Sequence, residues 1–135
     1  MRGDLGFDLS PLLGAALRPA MEKQIFAPAD VSPGWRERFP FKMTLRPSQI
    51  RAAAADAALM VPAASSLSER LPELQVPITI VAGGSDKVVE PDSQSGRLAR
   101  EIHGSELMII KGAGHMVHHT AAPLVLKAIK TRATH

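Results

Sequence analysis

The sequence predicts an α/β fold: two parallel strands with flanking helices in residues 75–135, preceded by a segment of helices and loops over residues 1–74. Three observations carry this. Ile78 to Ala82 and Leu107 to Ile110 are continuous apolar, β-branched runs, the mark of strands buried on both faces, as in a parallel sheet covered by helices. Each strand runs into a Gly-rich turn tipped by an ionisable side chain, Gly83-Gly84-Ser85-Asp86 and Gly112-Ala113-Gly114-His115. A helical pattern follows each strand, and the order strand, helix, strand, helix implies a right-handed crossover between parallel strands.

Taken in order, Ser10-Pro11 opens the first helix, because the hydroxyl can cap an orphan N–H and proline fits the first helical position. Leu13, Ala16, Leu17, Ala20 and Met21 recur at three- and four-residue steps, giving one apolar face, and the helix fades by about Phe26. Pro28, Pro33, Pro40 and Pro47 with Gly34 then exclude long regular elements, and Trp35, Phe39 and Phe41 in this stretch are expected to pack against a neighbour. Ser48 is expected to cap a second helix through the alanine-rich run to Val61, ended by Pro62. Ser66-Leu67-Ser68-Glu69 reads as a capping box opening a short third helix. Beyond the first strand, Pro91-Asp92-Ser93 opens a helix that carries Leu98, Ala99 and Ile102 inward, with Gly104 after its end. Thr120 can cap a last helix with Leu124, Val125, Ala128 and Ile129 on its inner side.

At 135 residues the chain has the size of one ordinary domain. Lys and Arg exceed Asp and Glu by 16 to 13, with a sequence pI near 9.7. The charges are mixed along the chain with no basic stripe or interleaved aromatics, which argues against nucleic acid. The absence of cysteine excludes disulfides, thiolate zinc sites and a cysteine nucleophile, and it fits a cytoplasmic setting. Met1 to Gly6 holds an acid and two glycines where a signal peptide needs an apolar core, and no run reaches the ~18 to 20 residues of a membrane span.

Sites in open parallel sheets form beyond the C-terminal ends of the strands, where Asp86 and His115 are expected. A carboxylate bonded to one imidazole nitrogen fixes the tautomer and leaves the other nitrogen as general base. The competing reading is that Asp86 only caps a turn and His115 only ends a strand. His118 and His119 lie on a loop entering a helix with no carboxylate among them, so no metal site is expected. Two parallel strands also leave at least one sheet edge unpaired.

These motifs resemble the α/β-hydrolase family. Val76 to Pro91 and Glu106 to Pro123 are similar to the last two sheet strands of that fold, with Gly83-Gly84-Ser85-Asp86 matching the acid loop and Gly112-Ala113-Gly114-His115-Met116 the histidine loop. Residues 10 to 74 resemble the helical cap that many members insert before those strands, and Phe26-Ala27-Pro28 and Leu45-Arg46-Pro47-Ser48-Gln49 are similar to cap sequences in bacterial members. The resemblance implies a cap over residues 1–74 and core elements over 75–135, with Asp86 as triad acid, His115 as general base and His118 lining the pocket. Trp35, Met43, Leu59 and Met60 would line an acyl site under the cap, or else form cap core.

The chain departs from the family at the nucleophile elbow. Gly-x-Ser-x-Gly is absent: Ser85 is followed by Asp86-Lys87, and Ser105 has no glycine two positions on. The expectation is a truncated or split hydrolase for a small apolar ester, amide or related bond, without cofactor, inert alone, its nucleophile Ser or Asp. Its partners would be a small-molecule substrate, no nucleic acid or membrane, and itself or a complementary chain at the open sheet edge. The alternative is a non-catalytic module that docks through that edge.

Overall fold

The computed structural model describes residues 10–133. The expectations for Met1 to Gly6 and for the Ser10 side-chain cap fall outside the described residues. The elements are α1 (Ser10–Phe26), α2 (Pro33–Arg38), α3 (Phe41–Thr44), α4 (Pro47–Ser68), β1 (Thr79–Gly83), α5 (Arg97–Glu101), β2 (Glu106–Ile110), α6 (Val117–Thr120) and α7 (Ala122–Ala133). This is a mixed helical chain with one two-stranded parallel sheet, compatible with the α/β class.

α1 ends at Phe26 as its pattern predicts, but the apolar stripe that predicted it is turned outward: Leu13, Leu17 and Met21 are exposed. The side that packs inward is the column Gly14, Arg18, Glu22, Ile25 and Phe26. Glu22 can be buried there because Arg18 and Arg36 both pair with it, Arg36 at 2.9 Å. Phe26 is 1% exposed, and Trp35 meets it edge to face at 5.0 Å. Phe39 stacks on the other side of the Trp35 indole at 4.6 Å, and the Arg18 guanidinium lies 4.3 Å over the Phe41 ring. The aromatics of the proline-rich stretch therefore have the partner they were expected to need, the C-terminal turns of α1.

The Ser32 hydroxyl accepts the Trp35 N–H at 3.2 Å and caps α2, with Pro33 in the first turn. α4 corrects two expectations. Its N-cap position is Arg46, two residues before Ser48, with Pro47 opening the helix. The helix also continues through Pro62 and absorbs the Ser66–Glu69 motif, whose Ser68 hydroxyl donates to the Ser65 carbonyl instead of capping a new helix. Proline removes one interior hydrogen bond at a cost of about 3 kcal/mol, but alanines on both sides have the highest helix propensity and carry the helix past it.

β1 and β2 pair in parallel from Thr79↔Glu106 to Gly83↔Ile110. Burial on both faces does not follow: Leu107 is 39% and Ile109 42% exposed. α6, α7 and the Asp92–Gly96 turn lie against β1, and β2 keeps exposed side chains among the described residues. At the strand entry, Arg132 of α7 donates to the Thr79 hydroxyl at 2.7 Å and pairs with Glu106 at 2.9 Å, joining helix to both strands. Within α7, Val125 and Ala128 face inward, whereas Leu124 and Ile129 are exposed, contrary to expectation. Thr120 does not cap α7, because it ends α6 and its hydroxyl donates to the Met116 carbonyl. Between the strands, a π-turn at Asp92–Gly96 leads into α5; Ile102 is buried, and Gly104 turns the chain at φ 73°.

Candidate catalytic dyad

The two turns after β1 and β2 are fastened to each other and to α1. The Gly84 N–H donates to the Ile110 carbonyl at 2.9 Å and the Ser85 N–H to the Ala113 carbonyl at 2.8 Å. The Met116 N–H donates to the Ile25 carbonyl at 3.2 Å, which docks the histidine loop on the end of α1. Two glycines permit this closeness. A Cβ on Gly83 would lie 2.2 Å from the Gly114 carbonyl oxygen, and one on Gly114 would lie 1.7 Å from that of Ala27.

Within this frame, the Asp86 Oδ2 and His115 Nδ1 atoms are 2.9 Å apart. The other carboxylate oxygen, Oδ1, accepts the Val88 N–H at 2.8 Å and the Val89 N–H at 3.0 Å. The Asp86 side chain is 10% exposed and that of His115 37%. Burial opposes the carboxylate charge, but the Val89 N–H, the His115 ring, the Val88 N–H and attraction to a charged imidazole outweigh it, so the carboxyl is held below its usual range. With Asp86 charged, Nδ1 carries the proton and donates it to Oδ2. In the neutral ring Nε2 then keeps its lone pair, an arrangement suited to accepting a proton.

The remaining expected site residues are scattered. Trp35 is buried and lines a cavity of about 330 Å³ together with Arg18, Met21, Glu22, Ile25, Phe39, Phe41, Thr44 and Met116. Met43 does not line that cavity; it borders a shallow groove with Phe39 and Lys42. Met60 is 64% exposed on α4, beside an exposed Leu59. The His118 ring stacks obliquely at 4.4 Å on His119. Desolvation first, then the positive charges of His119 and His115, hold its pKa down. Among the described residues no three His, Cys, Asp or Glu side chains are grouped to hold a metal ion, and no helix is long and apolar enough to cross a membrane.

Sequence reasoning missed Met21, Ile25, Phe39, Phe41 and Met116 as cavity walls. Phe39 and Phe41 were legible as packing aromatics and Met21 as part of an apolar face, and Met116 carried a signal in its position immediately after His115.

The parallel pair with its flanking helices is compatible with the α/β class, and a carboxylate–imidazole contact lies at the C-terminal end of the strands. In sequence the chain is similar in part to "Putative non-heme chloroperoxidase" of Synechocystis sp. (strain ATCC 27184 / PCC 6803 / Kazusa), to which it is 34% identical over 64 residues. The match covers 44% of this chain and 23% of that protein. It supports the α/β-hydrolase family. No family model matches the chain.

Proposed function

We propose that this chain is the acid and histidine part of an α/β-fold hydrolase acting on a small, apolar ester, amide or related bond. The observation that carries the proposal is the 2.9 Å Asp86–His115 contact, held at the ends of two parallel strands by hydrogen bonds between their loops. In the reaction, Nε2 of His115 takes a proton from a hydroxyl or water, and Asp86 stabilises the imidazolium through Nδ1–H. The proton is later returned to the leaving group.

The 135 residues carry no Gly-x-Ser-x-Gly turn. In a serine hydrolase, removing the nucleophile lowers turnover by about 10⁶. General-base catalysis by the dyad alone supplies ~10² and only against a held substrate. The chain by itself is therefore expected to hydrolyse short nitrophenyl esters no faster than its His115→Ala variant; turnover that His115→Ala abolishes overturns the claim of inertness. The hydrolase reading itself is tested in the DNA upstream. A frame encoding further strands and Gly-x-Ser-x-Gly supports it, and a promoter with unrelated sequence there removes it.

A second reading has an observation of its own. The chain exposes 10339 Å², whereas a folded monomer of 14.4 kDa exposes about 6,800 Å² by the usual size scaling. That excess, with outer edges on β1 and β2 that no strand pairs among the described residues, favours docking onto a partner sheet by strand addition. The upstream frame separates this module from a divided enzyme.

A further inference from the structure

We propose that the cavity between α1, α2 and α3 is a binding pocket for an uncharged apolar ring. Its 330 Å³ or so falls within the range of small-molecule pockets. At ~30 Å³ per water-sized unit it holds about ten non-hydrogen atoms. Trp35, Phe39 and Phe41 supply aromatic walls, and Met21 and Met116 add thioethers, which contact ring edges favourably.

The carboxylate at the rim is paired on both oxygens. The Nε atoms of Arg18 and Arg36 donate to opposite oxygens of Glu22. The Arg18 guanidinium covers Phe41, and the Thr44 hydroxyl donates to the Phe41 carbonyl. An amine would have to break these pairs to reach Glu22, and the mostly apolar lining favours an uncharged occupant.

The pocket's relation to the dyad comes through one residue. Met116 follows His115, lines the cavity and is tied by its N–H to the Ile25 carbonyl of the opposite wall. That the ring is part of a substrate rests on the hydrolase reading; that the cavity binds it does not.

Binding is tested without catalysis by titrating the chain with benzyl alcohol, using as reporters Trp35, its only tryptophan, and the methionine methyl resonances. The methyl signals of Met21 and Met116 and the indole N–H of Trp35 are expected to shift saturably, while Met60, exposed on α4, stays still. Ile25→Phe fills the cavity, and the cost of forcing both groups into it is expected to weaken binding about tenfold. Shifts that fail to saturate, or that include Met60 equally, overturn the pocket even if Ile25→Phe does not fold. 1-Octanol binding about tenfold tighter than benzyl alcohol overturns the choice of a ring. Saturable binding alongside an unrelated upstream frame would leave the pocket standing and remove the hydrolase reading.

Discussion

Gly114 is the residue on which the site's geometry depends most directly. Its missing side chain lets the histidine loop lie against the Ala27 carbonyl, with 1.7 Å available where a Cβ would sit. Gly114→Ala must separate two backbones rather than move a flexible side chain, so it is expected to destabilise the fold by about 2 kcal/mol or more. Thermal unfolding measures this, and an unchanged midpoint would show that the loops yield cheaply. At Glu22, burial opposes the charge but Arg18 and Arg36 more than offset it, so the folded pKa lies below the ordinary carboxyl value. In the window between the two values the unfolded chain binds more protons. The stabilisation is therefore complete above the unfolded value, about 4.3, and is lost as pH falls through the lower folded one. Glu22→Gln is expected to cost about 1 to 3 kcal/mol at pH 7, less than for a fully buried pair because Arg36 is half exposed. It should also flatten the acid limb of the stability curve; a limb as steep as in the parent would assign the acid sensitivity elsewhere, Asp86 first.

At the scale of elements, α4 is the clearest conflict between local signals and the observed helix. Pro62 and the Ser66–Glu69 motif were legible as punctuation, and each is overridden by the alanine-rich run in which it sits. Pro62→Ala restores an interior hydrogen bond without touching the dyad and is expected to raise helix content and stabilise the chain by about 1 to 2 kcal/mol. Circular dichroism through a thermal scan checks this; a loss of helicity would mean that the proline positions a contact. The strands behaved differently. Their existence, order and parallel pairing were readable from two apolar runs and the helical signals between them. Their burial was not, because an apolar run reports what a strand is suited to pack against and cannot say whether that neighbour is present.

At the scale of the whole molecule, apolar surface is the governing quantity. Leu107 and Ile109 on the sheet, Leu124 and Ile129 on α7, and Leu59, Met60 and Val61 on α4 all face solvent. Exposed apolar side chains of this kind favour association. Sedimentation is expected to show concentration-dependent self-association, and a sharp monomer across the accessible range would count against it.

The sequence by itself determined the pair of strand-to-turn motifs and the positions of Asp86 and His115 at their tips, because these are encoded in local hydrophobic runs and turn residues. Tertiary structure alone decided that those tips meet at 2.9 Å, that Trp35 lines a cavity while Met60 does not, and that Glu22 is buried between two arginines. Each of these depends on which surfaces face one another across distances that no local pattern records. Asp86 and His115 are 29 positions apart in the chain, and contact follows only when β1 and β2 pair in register and their glycines let the loops close.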